Sequence, residues 1–282
     1  MKKKKVLVTG GTGFIGSVIV SRLIERGHEV VVYDIAAWDE TADNIEYIKG
    51  DIFDAKHLGE VLSSCDSIIH MVGLADARVA QDHPQMSFDL NVRSIQILFE
   101  VIRGNNINIS KVIFPSSASI YGVVDRSPIS EDIIPKPTNI YSYHKLMAEE
   151  LSECYAKNYN INVTALRLFN VYGIQGRGIL NILVEKAKKG EPIMLYGEKQ
   201  KRDFIHISDV ADAFVGVLGT SSNELGIYNV GTGVGRSIED IIKLVKEYFP
   251  AMHIEHGEYK AILYDLTADI TNIKKATGFS PD

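Results

Sequence analysis

Gly10, Gly13 and Gly16 recur at three-residue intervals between the apolar run Val6-Leu7-Val8 and a helical pattern at Ile15, Val18, Ile19 and Leu23. A glycine-rich turn between a strand and a helix N-terminus restricts the fold sharply. Positions without side chains allow a tight turn and let the backbone approach a pyrophosphate, while the helix start supplies unpaired N–H groups and partial positive charge. The context predicts the opening of a βαβ unit with a dinucleotide at the carboxyl edge of a parallel sheet.

The rhythm continues. Val30 to Asp34 reads as a second strand, and Asp34 ends it about twenty residues beyond the glycines, where a carboxylate accepts hydrogen bonds from an adenosine ribose and repels a 2′-phosphate. That position selects NAD over NADP, although an acid at a strand end is also a common surface feature. Glu46 to Lys49 forms a third strand, with Asp51 and Ile52 just past it, where an adenine edge could be read. Ser67 to Met71 is a fourth, buried strand, and its His70 reads as a satisfied core histidine with no chemistry. Residues 73 to 90 read as a polar, irregular loop containing Pro84. From Asn91 a helical stripe of Ile95, Leu98, Phe99 and Ile102 follows. Lys111 to Phe114 is strand five, running into the hydroxyl-rich Pro115-Ser116-Ser117-Ala118-Ser119-Ile120-Tyr121-Gly122. Loops after the carboxyl ends of parallel strands line the ligand crevice. A loop punctuated by Pro128, Pro135 and Pro137 leads to a helix bearing Tyr141 and Lys145, and Ile161 to Leu168 is strand six.

Beyond Gly173 the alternation breaks. A helix near 179 to 189, a short strand near Met194, the segment Lys201-Arg202-Asp203-Phe204-Ile205-His206, and a helix striped by Val210, Ala213, Phe214, Val217 and Leu218 come next. Ser237 and Asp240 form a capping-box pattern ahead of Ile238, Ile241, Ile242 and Val245. The expected class is α/β: a Rossmann-type doubly wound parallel sheet with a smaller mixed α/β C-terminal substrate lobe. Residues 1–172 would form the dinucleotide-binding domain, with 203–232 returning to it, and 173–202 and 233–282 the substrate lobe.

Composition narrows the function. A formal net charge of −6 over 282 residues argues against a nucleic-acid partner. Lys2 to Lys5 reads as a solvated tail, because no apolar signal segment follows it. No stretch approaches the ~20 apolar residues of a membrane span. Two cysteines, Cys65 and Cys154, make neither a disulfide framework nor a metal site and suit a reducing cytosol.

Tyr141 and Lys145 stand at i and i+4, on one face of a helix. A phenol of pKa near ~10 is a poor base at neutral pH, and a neighbouring ammonium favours its phenolate. With 13 tyrosines in the chain, such a pair also arises by coincidence on an exposed helix.

Taken in order, Thr-Gly-x-x-Gly-x-x-Gly, Asp34, Ser-Ser-Ala-Ser-Ile-Tyr-Gly, Tyr141-x-x-x-Lys145, Arg167-Leu168-Phe169-Asn170 and Arg202-Asp203-Phe204-Ile205-His206-Ile-x-Asp-Val resemble the extended short-chain dehydrogenase/reductase family. The likeness is to its NAD-dependent nucleotide-sugar epimerase/dehydratase branch, over nearly the whole chain. The resemblance implies NAD as cofactor, held by Gly10, Gly13, Phe14, Ile15, Gly16, Asp34, Asp51, Ile52, Tyr141, Lys145 and Phe169. It implies Tyr141 as acid/base, Lys145 as its electrostatic partner and ribose anchor, and Ser117 as the hydroxyl on the reacting sugar oxygen. Ser117, Ser119, Asn170 and Arg202 would bind a nucleotide-diphosphate sugar, a UDP-sugar being favoured. A turn role for Asn170 and a surface pair between Arg202 and Asp203 are the plain alternatives. No metal is implied; a cytoplasmic homodimer is.

Three fates are open to the 4-keto sugar such enzymes form: epimerisation, loss of water, or decarboxylation. Dehydratases of this family carry Asp-Glu after the catalytic hydroxyl, and decarboxylases resemble them in having a Glu there. Here Ala118 and Ser119 follow Ser117, which points to epimerisation at C4, with dehydration, keto-sugar reduction and a non-catalytic NAD(H)-binding protein as alternatives. Two departures stand out. The late arginine of relatives is absent from Glu255-His256-Gly257-Glu258, and the chain ends at Asp282 where relatives continue into another helix, as in a short member or a truncated sequence.

Overall fold

The computed structural model describes residues 3–38, 44–176, 178–195, 199–220, 224–257 and 264–282. The first half alternates strands and helices: β1 (Lys5–Thr9), α1 (Phe14–Glu25), β2 (Glu29–Asp34), β3 (Ile45–Lys49), α2 (Ala55–Leu62), β4 (Ser67–His70), α3 (Ala77–Asp82), α4 (Pro84–Phe88), α5 (Ser94–Gly104) and β5 (Lys111–Ser117). Next come α6 (Ile140–Tyr159), β6 (Val163–Leu168), β7 (Asn170–Tyr172), α7 (Ile179–Lys189), β8 (Ile193–Leu195), β9 (Lys201–His206), α8 (Ile207–Gly216) and β10 (Gly226–Val230). The last elements are β11 (Gly235–Ser237), α9 (Ile238–Tyr248), β12 (Ile254–His256) and α10 (Thr271–Thr277).

Seven strands form one sheet in the order β10-β6-β5-β4-β1-β2-β3. Every pairing in it is parallel. Alternation along each strand divides the core in two. Val6, Val8, Val30 and Val32 pack under α1 and α8, with Ile19, Leu23, Val210 and Phe214. Leu7, Val31, Ile68 and Val112 pack under α2, α5 and α6, with Leu58, Leu98, Phe99 and Tyr155. This is the doubly wound Rossmann-type arrangement that the alternation predicts. The chain runs outward from β1 to β3 on one side, then from β4 to β10 on the other, so the sheet reverses direction between β1 and β4. At such a switch point the loops diverge and leave a crevice outside the carboxyl ends of the strands.

Two small sheets sit beyond that edge, β11-β9-β7 and β12-β8. Phe204 of β9 joins Leu183, Ile193, Ile238, Ile241 and Ile242 in a separate core between α7 and α9. Ser237 caps α9 with the reciprocal Asp240 bond that the pattern predicts. Ile273 and Phe279, although within 233–282, pack into the core of the large sheet rather than that of the lobe.

Two expectations are corrected. Residues 73 to 90 are not an irregular loop: Asp76 accepts from the amides of Arg78 and Val79 to cap α3. Pro84 opens α4, and a π-helical turn at Asp89–Arg93 leads into α5. Helices of five or six residues are too short to show apolar periodicity, so only their caps betray them. Nor is the run Lys2 to Lys5 a solvated tail where it is described, Lys2 lying outside the described residues. Lys5 starts β1 and meets Glu46 at 3.1 Å, Lys3 meets Glu29 at 2.8 Å, and Lys4 donates to the Leu218 carbonyl at 3.0 Å.

Candidate active site

The glycine turn sits at the switch point. Gly10 has φ +67°, and a Cβ on it would come within 2.8 Å of the Val72 amide nitrogen, just past β4. On Gly16 a Cβ would stand 2.3 Å from the Gly10 carbonyl oxygen. Gly13 caps α1 without a side-chain hydrogen bond, so no side chain competes for the first amides of the helix, at Phe14, Ile15 and Gly16. A cradle closed to any side chain, with helix amides and the positive dipole end facing it, fits the pyrophosphate of a dinucleotide. The Phe14 ring reaches outward, to 2.9 Å from where a Gly176 Cβ would be, and so touches the loop that enters the lobe.

Asp34 closes the turn from β2. Its Oδ2 accepts from the Thr12 amide at 3.1 Å and the Thr12 hydroxyl at 2.7 Å, and its Oδ1 accepts from the Ala36 amide at 3.1 Å. The residues that follow, Ile35 and Ala36, offer no cation for a 2′-phosphate. Asp51 is exposed beside it, binding the Phe53 amide at 3.0 Å, while Ile52 is buried. Asp34, Asp51 and the glycines therefore share one end of the crevice.

Across the crevice β5 ends at Ser117, whose Oγ lies 2.9 Å from Ser119 Oγ and accepts from the Ser119 amide at 3.2 Å. Asn139 caps α6 by accepting from the Ser142 amide at 3.0 Å, which puts Tyr141 and Lys145 on the face turned to β5. Lys145 Nζ donates to the Pro115 carbonyl at 2.9 Å and lies 5.9 Å from the centroid of the Tyr141 ring. Burial pushes the Tyr141 phenol up, with the Ser117 hydroxyl pulling the other way. Burial also lowers Lys145 to about 8, opposed by the charge of Glu149. The depressed phenol that the i, i+4 pair suggests is thus not what the chain produces alone, because desolvation outweighs the Ser117 hydrogen bond. Ser117, Tyr141 and Lys145 nonetheless meet at one point.

Sequence reasoning passed over the group beneath them. Asn91 donates to the Leu74 carbonyl at 3.0 Å and accepts from the Leu74 amide at 3.2 Å, clamping the turn after β4. A Cβ on Gly73 would stand 2.9 Å from Asn91 Oδ1 and 3.6 Å from Lys145 Nζ. Ser87 bridges Asn91 to His144 Nδ1, the latter at 2.8 Å. An asparagine at a helix start carries no periodic signal that could have found it. His70 meets the expectation of a satisfied core histidine: Thr9 Oγ1 lies 2.8 Å from Nδ1, and Ser94 Oγ lies 3.1 Å from Nε2. The Ser94 hydroxyl donates to Leu90, so Nε2 donates to the Ser94 oxygen, and burial disfavours a second proton on the ring.

The expected substrate residues lie at the lobe. Asn170 of β7 donates to the Asp203 carbonyl at 3.2 Å. Arg202 of β9 donates to the carbonyls of Lys201 at 2.9 Å and Tyr264 at 2.6 Å, and its guanidinium lies over the Tyr264 ring at 5.0 Å. The alternative surface pair with Asp203 does not form, since that carboxylate is buried and accepts from Thr232, Gly233 and Ala268. Phe169 is buried beside Ala118, Ile120 and Tyr121. Glu255 and His256 lie in β12, whereas Glu258 is outside the described residues. Among the described residues no cluster of His, Cys, Asp or Glu suits a metal ion, and no helix is long and apolar enough to cross a membrane.

Residues 6–231 match the model of the NAD dependent epimerase/dehydratase family. The chain is 30% identical over 268 residues to a UDP-glucose 4-epimerase of Corynebacterium glutamicum, covering 86% of this chain and 80% of the relative. The UDP-glucose 4-epimerase of Thermotoga maritima with UDP-glucose superposes with a TM-score of 0.88 at 27% identity, over 99% of this chain and 94% of that one. The corresponding Thermus thermophilus enzyme in complex with NAD gives 0.86 at 28% identity, over the same 99% and 94%. With the glycine cradle at the switch point and the fold matched along its length, the chain belongs to the NAD dependent epimerase/dehydratase family.

Proposed function

We propose that the protein is an NAD-dependent nucleotide-sugar 4-epimerase acting on a UDP-sugar. The observation that carries the reading is the convergence of Ser117, Tyr141 and Lys145 at the crevice with no carboxylate next to Ser117. NAD, when bound, supplies the hydride acceptor and a fixed positive charge beside the phenol. Gly10, Gly13, Phe14, Ile15 and Gly16 would hold its pyrophosphate, Asp34 its adenosine ribose, and Asp51, Ile52 and Phe169 would border it. Tyr141 takes the proton of the sugar C4 hydroxyl and returns it to the epimeric alcohol. Ser117, with Ser119 behind it, orients that oxygen, and the Lys145 charge favours the phenolate. Asn170 and Arg202 bind the diphosphate.

A dehydratase would need another acid. Two carboxylates of the loop before Tyr141, Glu131 and Asp132, are committed elsewhere: Glu131 accepts from the Asn229 amide at 2.8 Å and the Asn272 side chain at 2.8 Å. Asp132 is exposed and bonded to Ser130 and Arg126. The test is substrate deuterated at C4. Epimerisation keeps the label at C4 with no accumulation of free NADH, and migration of label to C6 would replace this reading with dehydration.

The residue partition stands as a proposal too: 1–172 with 203–232 as the cofactor domain, 173–202 and 233–282 as the lobe, the packing of α10 on the large sheet weighing against including its last residues. A homodimer is part of the reading. Tyr143, Met147 and Leu151 of α6, with Val92 and Gln96, line an apolar groove between α5 and α6, and a second copy would cover it as a four-helix bundle; light scattering giving a monomer at micromolar concentration would refute it. The unbridged Cys65 and Cys154 agree with a cytoplasmic location.

A further inference from the structure

Tyr33, the residue before Asp34 in β2, is buried to 1% exposure. A phenol so placed needs a partner for its hydroxyl. That partner lies past the end of the neighbouring strand: the hydroxyl donates to the Asp51 carbonyl at 3.0 Å. The ring reaches it through the room that Gly50 leaves. A Cβ on Gly50 would stand 2.2 Å from two of the ring carbons and 2.4 Å from the hydroxyl oxygen, so a side chain at 50 would drive the phenol off Asp51. The Tyr33 backbone meanwhile faces the other neighbour, its carbonyl accepting from the Gly10 amide at 3.0 Å. One residue thus fastens the first glycine of the cradle and the turn after β3.

Filling the core does not account for the hydroxyl. Leu7, Ile52 and Leu58, which share the Tyr33 core, and the edge contact with His57 at 5.5 Å would be served equally by phenylalanine. What the hydroxyl adds is a fixed Asp51 turn. The same carbonyl accepts from the Asp54 amide at 3.0 Å, and Asp51 Oδ1 accepts from the Phe53 amide at 3.0 Å. The direction of the exposed Asp51 carboxylate therefore follows from the turn, and the phenol ties that turn to β2. Burial first, then the charges of Asp54 and Asp51, push the Tyr33 phenol up to about 12, so the hydroxyl stays a donor throughout the neutral range.

We infer that Tyr33 is a positioning residue whose hydroxyl aims the Asp51 carboxylate at the amino group of the cofactor's adenine, and that the preference for adenine over a 6-oxo purine depends on it. The inference rests on the NAD reading above, which sets Asp51 beside the cofactor, and adds a residue that acts only through Asp51. Adenine presents an amino donor at its six position, whereas hypoxanthine presents a carbonyl oxygen that a carboxylate repels. A site built to accept a hydrogen bond rejects the analogue that lacks the donor.

The test is equilibrium dialysis of the full chain against equimolar NAD⁺ and nicotinamide hypoxanthine dinucleotide, with the bound ratio read by liquid chromatography. The wild type should bind NAD⁺ in excess. In Tyr33→Phe that ratio should fall by about 3- to 10-fold, the worth of one hydrogen bond. The variant keeps the ring, and the Asp51 carbonyl keeps the Asp54 amide, so total cofactor bound at saturation should match the wild type. In an Asp51→Ala background the same substitution should leave the ratio unchanged, because its effect passes through that carboxylate. A selective wild type with an unchanged ratio in Tyr33→Phe, or a further fall in the Asp51→Ala background, overturns the inference. A wild type that binds both dinucleotides equally removes Asp51 from the adenine and the inference with it, and one that binds neither overturns the NAD reading itself.

Discussion

The Lys145 amine lies over the Tyr141 ring, 5.9 Å from its centroid, and is anchored there by the Pro115 carbonyl at 2.9 Å. One helical turn fixes the spacing of the two residues, and β5 fixes where the amine points. Burial pushes the phenol up and the lysine down to about 8, so on the reading proposed above the positive charge of bound NAD would favour the phenolate.

Tyr141→Phe is expected to lower turnover by about 10²–10⁴-fold, the usual range for removing a general acid/base. The ring still packs, so bound NAD should match the wild type. Steady-state kinetics with a cofactor assay on the same sample decides. Loss of NAD along with activity would make the tyrosine structural.

Asp34 is expected to make NAD⁺ bind more tightly than NADP⁺, because on the proposed reading its carboxylate would face a 2′-phosphate with no cation at Ile35 or Ala36. Asp34→Asn should narrow that preference. It should also weaken binding of both forms, since the Thr12 amide and hydroxyl lose a charged acceptor. Fluorescence titration showing equal affinities in the wild type would remove Asp34 from the ribose site.

Glu149 and Arg167 form a bidentate pair at 3.0 and 2.7 Å, each side chain only 3% exposed. The arginine also donates to the Tyr121 hydroxyl, tying α6 to β6 and to the strand end that bears Ser117. Glu149→Ala leaves a buried cation unpaired and should cost about 3–5 kcal/mol. Urea unfolding should show the midpoint falling at an unchanged slope; a loss below ~1 kcal/mol would mean that water reaches the pair.

His70 is held down to about 3 by burial first and by the charge of Lys145 second. An unfolded histidine has a pKa of ~6.5, so between that value and about 3 the unfolded chain binds the additional proton. Its contribution is an acid-side loss: stability falls as pH drops through that window. His70→Gln, weaker at pH 7 for want of its two hydroxyl partners, should show a shallower fall between pH 6.5 and 4 in urea midpoints. An equal slope would assign the acid sensitivity to other groups.

The parts of the site readable from sequence are those that local geometry sets. Gly10, Gly13 and Gly16 announce their cradle because a Cβ at Gly10 or Gly16 would strike backbone within 3 Å. The strand period puts Val6 and Val8 on one face and Leu7 on the other. Tyr141 and Lys145 share a helix face whatever the rest of the chain does.

Tertiary structure decided everything that joins distant segments. Ser117 meets Tyr141 only because β5 lies beside β4 at the switch point and α6 packs back upon it. Asn91 reaches beneath Lys145 only because the turn after β4 passes between them. The desolvation that reverses the expected shift of the Tyr141 phenol depends on how distant segments bury the ring, which no short window of sequence reports. Arg202 and Asp203 show the limit most plainly. Adjacent in sequence, they suggest an ion pair, yet strand alternation sends them to opposite faces, one to the lobe and one to a buried set of amides. Arg236, thirty-four residues later, becomes the neighbour of Arg202 through strand register, and a shift of one residue would turn it to the other face.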